Sequence, residues 1–332
     1  MSSAVALAAE GVVPYEYVPS ADDLGISARR WNPILQRRLD REIAHNAPDV
    51  LVFDGTYPYR AVAEVKRRHP RLRTVWSRRP MWKPGMGARQ LGLSGAFDLV
   101  IEPGELAADL DRGLTASRDD ALKVRPVTLM DRQDVLGRAE ARSALGMDPE
   151  APAALLTMGA GAWQDVDSDL GSLVNGLRVG VPEAQLHLVR PSIARSSAEL
   201  GEGIRALSVY PLSRYLEAFD LVVTAAGYNT FHETVALSRP GAFVGVEAQL
   251  DDQPQRARWA EREGVGLDLR PRETASVARA AALLASPRRA AMVSERCQAL
   301  WPGNGAADAM AAVEAVADGA EVGDLLATSV VP

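Results

Sequence analysis

Internal disulfide chemistry is closed to this chain, because its 332 residues include a single cysteine, Cys297. Four scattered histidines show none of the C-x-x-C or H-x-x-x-H spacing of a metal site, so no metal is expected. Lysine is scarce and arginine carries nearly all the positive charge, yet the net charge is −6, which leaves no footprint for nucleic acid. No apolar run approaches the roughly 20 residues that cross a bilayer. The opening MSSAVALAAEG has no positive leading segment and meets Glu10 too early for a signal peptide. A reducing, cytoplasmic setting is expected, with any membrane contact peripheral to the inner face. Also missing are a P-loop, a G-x-S-x-G nucleophile elbow and a complete G-x-G-x-x-G.

What is present is an alternation of short β-rich runs with helical stretches, the pattern of parallel sheets built from βαβ units. At this length two α/β domains are expected, with room for a sizeable core. In the first part, strands are predicted at 12–19, 50–55, 73–77 and 99–104, with helices in PILQRRLDREIAHN and YRAVAEVKRRHP. The second part is more regular, and runs at 154–161, 184–190, 204–211, 221–226, 242–246 and 265–269 predict a six-stranded sheet. The expected division is a first domain at 1–127, a linker at 128–150, a second domain at 151–304, and a C-terminal helix and tail at 305–332.

Three strand-to-helix turns stand out. In TAAGYNTFHETVAL, Thr230 followed by Glu233 matches a capping box, in which the two side chains satisfy helix N–H groups. The same stretch places Gly227 at the carboxyl end of a strand, where a close backbone approach and a helix N-terminus suit a diphosphate. His232, inside it, reads as structural. In TMGAGAW, Gly159 and Gly161 make either a plain turn or a ligand loop at the sheet edge. In EAQLDDQPQRARWAEREG, Asp251, Asp252 and Gln253 precede Pro254, as ordinary N-capping or as groups for sugar hydroxyls.

These turns in this order, MGAG, DLVVTAAGYNTFHETVALSRPG and DDQPQRARWAEREGVGL, resemble the C-terminal domain of GT-B glycosyltransferases of the MurG type over roughly residues 150–270. The resemblance implies a GT-B-like α/β fold of two Rossmann-like domains whose parallel sheets face a cleft. It places Gly159 and Gly161 in the nucleotide-sugar site, Gly227, Asn229 and Thr230 along the UDP diphosphate, Glu233 on the ribose, and Asp252 with Gln253 toward the donor sugar. Arg190, at a strand end, lies near the uracil or phosphates or is a surface residue. The implied reaction is inverting, metal-independent transfer of a hexosyl or N-acetylhexosaminyl group from a UDP-sugar. The hydroxyl acceptor is lipid-linked or a small natural product, and no cofactor is implied. A UDP-sugar hydrolase, a 2-epimerase and a non-catalytic nucleotide-sugar-binding module are the alternatives.

The sequence departs from the family pattern in two places. Ala225 stands where that pattern has an arginine, and no Gly-rich loop with a histidine follows a first N-terminal strand, so the N-terminal sheet is expected to lack its opening segment. In what remains of that domain, Asp54 in VFDGTYPYR is either a general base or a turn cap. Arg78, Arg79, Trp82 and Lys83, just past a strand end, form either an acceptor or membrane patch or a solvated basic face.

Overall fold

A computed structural model of the chain describes residues 16–157, 166–189 and 203–327. Its strands are β1 (Val50–Gly55), β2 (Arg73–Arg78), β3 (Leu99–Pro103), β4 (Leu122–Val124), β5 (Ala153–Thr157), β6 (Gln185–Val189), β7 (Ile204–Leu207), β8 (Leu221–Ala225), β9 (Gly241–Val244) and β10 (Gly266–Asp268). The longer helices are α1 (Ala28–Asn46), α2 (Arg138–Ala144), α3 (Val166–Gly180), α4 (Tyr228–Ala236), α5 (Gln253–Glu263), α6 (Thr274–Leu284), α7 (Pro287–Leu300), α8 (Ala306–Ala317) and α9 (Val322–Ala327). Residues 16–127 with 305–327 make one compact unit, and the described part of 128–304 makes the other.

The second unit is a six-stranded sheet in the order β10-β9-β8-β5-β6-β7, every pair parallel. Parallel strands covered on both faces read as continuous apolar runs, and β5 and β8 are buried at every position. Ala154 and Leu156 join Leu221 and Val223 on one face, against Leu173 and Leu177 of α3 and Val277, Ala281 and Leu284 of α6. Leu155 and Val222 point to the other face, where they meet Phe219, Leu216, Leu237 and Ala141 of α2. Residues 128–150, expected as a linker, lie within this unit. Buried Arg142 donates to the carbonyls of Ala218, Asp148 and Ala151 and to the Asp220 carboxylate. The strand order reverses between β5 and β8, which is where such sheets open a crevice at their carboxyl ends.

The first unit is a four-stranded parallel sheet in the order β1-β2-β3-β4. Val75, Leu99, Ile101, Leu122 and Val124 supply one apolar face, and Ala312 and Val316 of α8 close it. Among the described residues β1 is an edge strand. Two local expectations fail here. Residues 16–19 form no strand, and the helix predicted over YRAVAEVKRRHP is two single-turn pieces, Arg60–Ala63 and Val65–Arg68. The break falls at Glu64, whose carboxylate is drawn to Arg60 at 2.8 Å and to Arg67 at 3.4 Å. The run at 204–211 likewise pairs only over Ile204–Leu207.

Candidate functional site

At the crevice, β8 delivers the chain through Ala226 to Gly227, which is the N-cap of α4 with φ −68 and ψ 150. Its N-cap is a glycine and makes no side-chain capping bond, so Thr230 is not the N-cap of the predicted capping box. Thr230 is instead the third helical residue, and its carbonyl accepts from the Thr234 hydroxyl at 2.6 Å. The helix starts early because its first residue belongs to the core. Tyr228 is buried with its ring 4.2 Å from that of His232, whose Nδ1 lies 2.7 Å from the Tyr228 carbonyl oxygen. His232 is therefore structural, as expected. The first intrahelical bond runs from Phe231 N–H to the Gly227 carbonyl at 3.0 Å, leaving the preceding turn of N–H groups outside the helical ladder. Asn229 is exposed and Thr230 and Glu233 are half-buried, so these three share the open face of α4 while Phe231 and Val235 pack inward.

The next turn approaches the same point. Backbone meets backbone where β9 leaves for α5, because a Cβ on Gly245 would stand 2.7 Å from the Pro254 Cα. Asp252 is the N-cap of α5 without a side-chain capping bond, so this helix end is uncapped as well. Gln253, its first residue, is only 8% exposed, and its amide lies 3.7 Å from where a Gly227 Cβ would sit. The Gln253 Oε1 is buried without a hydrogen-bond partner. An orphaned buried acceptor costs about 1–3 kcal/mol, which makes it a natural receiver for a ligand hydroxyl. One turn further along α5, Arg256 is fully buried and reaches the Ala226 carbonyl at 3.3 Å. The sequence reading missed this arginine, although its spacing from Gln253, Ala257 and Ala260 puts it on the buried face of α5.

Gly227, Asn229, Thr230, Glu233, Asp252 and Gln253 thus fall on two adjoining turns of one sheet edge. Gly159, Gly161 and Arg190 lie outside the described residues. Ala225 is buried at the end of β8. Among the described residues no group of three or more His, Cys, Asp or Glu could hold a metal ion, and no helix is long and apolar enough to cross a membrane.

The candidates of the first unit are not one surface patch. Arg78 is wholly inaccessible and forms ion pairs with Glu102 at 3.1 Å and Asp120 at 2.9 Å, with Ser94 Oγ accepting at 3.0 Å. Burial pushes the Glu102 carboxyl up against the pull of Arg78. Burial would also raise Asp120, but Arg118 and Arg78 outweigh it and hold that carboxyl well below the usual range. Trp82 is 1% exposed, its indole N–H donating to the Arg79 carbonyl at 2.9 Å. Lys83 is half-buried. Arg79 pairs with Asp54 at 3.3 Å, and the Asp54 carboxylate also accepts from Ser77 Oγ at 2.9 Å. The Asp54 side chain is 60% exposed at the end of β1. A basic patch built on Arg78 and Trp82 is therefore excluded by their burial.

Known solved structures share this architecture. The glycosyltransferase of kitacinnamycin superposes with a TM-score of 0.59 at 16% identity, covering 95% of this chain and 89% of that one. Sucrose-phosphate synthase from Thermosynechococcus elongatus gives 0.57 at 16%, covering 92% and 81%. The fold is that of the GT-B glycosyltransferases. In sequence the chain is 29% identical over 178 residues to the UDP-N-acetylglucosamine--N-acetylmuramyl-(pentapeptide) pyrophosphoryl-undecaprenol N-acetylglucosamine transferase of Corynebacterium jeikeium, the MurG type. That match takes in 48% of this chain and 46% of the relative, so it spans less than half of that protein. No protein-family model matches.

Proposed function

We propose that this chain is a GT-B glycosyltransferase that binds a UDP-sugar at the β8–α4 and β9–α5 turns and transfers the sugar to a hydroxyl acceptor with inversion. The observation that carries the reading is the pairing of two helix N-termini without side-chain caps around the buried, partnerless Gln253 Oε1, at the point of strand-order reversal. Uncapped N–H groups and the positive end of a helix dipole stabilise the charge that grows on a departing UDP, which lets transfer proceed without a metal. In this reading Gly227, Asn229 and Thr230 line the diphosphate, Glu233 takes the ribose hydroxyls, and Asp252 with Gln253 receives the sugar. Asp54, exposed at a strand end, is the candidate general base. The donor assignment draws on the named substrate of the corynebacterial relative, whose acceptor is lipid-linked. A protein of this kind works in the cytoplasm, with any membrane contact peripheral.

The reading is tested by incubating the protein with a panel of UDP-sugars, with and without cell-extract acceptors, while following UDP release and product mass. UDP released only with acceptor is the expected result. Release in water alone identifies a hydrolase, and an altered sugar still attached to UDP identifies an epimerase. Binding without turnover leaves a nucleotide-sugar-binding module, and failure to bind any UDP-sugar at millimolar concentration ends the reading. Within the site, Glu233→Gln is expected to weaken UDP binding more than it lowers thermal stability.

A further inference from the structure

Arg256 sits where a charge is costly, fully buried on the inner face of α5. What holds it is the nucleotide turn itself. Its Nη1 donates to the Ala226 carbonyl at 3.3 Å and to the Asp251 carboxylate, and its guanidinium carbon stands 5.7 Å from the centroid of the Tyr228 ring. Ala226 is pinned from the opposite side, where its N–H donates to the Val244 carbonyl at 2.8 Å. Because a trans peptide is planar, its carbonyl and the following N–H point in opposite directions. With the Ala226 carbonyl drawn inward to Arg256, the Gly227 N–H is turned away from the guanidinium. Glycine has no Cβ to resist a flip of this peptide, so side-chain sterics at that position do not fix its direction.

We propose that Arg256 is a positioning residue for the diphosphate subsite. It fixes the peptide between Ala226 and Gly227 so that the Gly227 N–H joins the open N–H groups of α4. Through Asp251 it also ties this turn to the one that carries Asp252 and Gln253, so that the diphosphate and sugar subsites are set by one buried cation. Its positive charge lies behind an anion site and touches no reacting atom. The inference rests on the nucleotide-sugar reading above.

Uridine, UMP and UDP titrated into the full chain and into Arg256→Lys and Arg256→Met separate the two. The readout is affinity by calorimetry or ligand-observed NMR, with circular dichroism and melting temperature confirming the fold. Arg256→Met is expected to lose at least tenfold in UDP affinity, less in UMP affinity, and under twofold in uridine affinity. Arg256→Lys, which keeps the charge, is expected to recover at least threefold of the UDP loss. A folded Arg256→Met with unchanged UDP affinity, or with equal losses for all three ligands, overturns the assignment. Should Arg256→Met not fold, Arg256→Lys decides by the same comparison of UDP with uridine. Wild-type protein that binds neither UDP nor uridine overturns the nucleotide-sugar reading, and the role of Arg256 falls with it.

Discussion

The two sheets end their strands in opposite ways. At the carboxyl edge of the first sheet the buried polar groups are spent on one another, Arg78 being enclosed by Glu102, Asp120 and Ser94. At the carboxyl edge of the second, both helix N-termini lack side-chain caps and a buried amide oxygen has no partner. The charge-rich segment is thus a framework, and in the proposed reading the glycine turn is the binding site. What separates them is hydrogen-bond satisfaction, since a satisfied charge has nothing left to give a ligand while an unsatisfied amide does.

The largest effect that tests this contrast is on the framework side. Arg78→Met strands the Glu102 carboxylate in the interior and is expected to cost about 3–5 kcal/mol, read by urea unfolding, as for other broken buried pairs. A loss well below that range would show Arg78 to be a surface group after all. Next comes Gly227→Asp, a substitution its φ of −68 accommodates. A carboxylate N-cap is expected to stabilise the fold by a few tenths of a kcal/mol while repelling the diphosphate, weakening UDP at least about tenfold, or 1.4 kcal/mol. Stability and affinity moving together would contradict the proposed site. Gln253→Leu removes the orphaned oxygen and is expected to change stability by no more than about 1 kcal/mol. Its binding signature is a lower affinity for UDP-sugar with UDP itself unaffected, measured by competition.

The smallest effect is pH-dependent. His187 is buried in β6 with neither ring nitrogen partnered, and burial, helped by Arg205, pushes its pKa below 6.5. The folded state therefore binds this proton less readily than the unfolded state does. The stability is fully present above 6.5 and drains away as pH falls from there toward the folded pKa, with a slope of at most about 1.4 kcal/mol per pH unit. His187→Leu is expected to flatten the change in urea midpoint between pH 7.5 and 5, and an unaltered slope would assign the effect to another group.

The parallel sheets were legible because both faces of β5 and β8 are covered, which forces the apolar runs ALLT and LVVTA into the sequence. Gly227 and Gln253 were legible as turn chemistry. The capping box was not real, because a box read from Thr230 and Glu233 ignores Tyr228, which His232 and Arg256 draw into the helix ahead of them. Burial of Arg78 was illegible for a different reason. Its partners lie 24 and 42 residues further along the chain, and only the pairing of β3 with β2 and of β4 with β3 brings them together.

The cover of the first sheet has a temporal side. Ala312 and Val316, with Val313, Leu325 and Leu326 beside them, close the core that Val75, Leu99 and Ile101 open. A ribosome therefore makes the whole of the second unit before it releases the helices that finish the first. The segment 16–127 must wait, apolar face uncovered, for the segment 305–327, so the first unit can be completed only after the second has been synthesised.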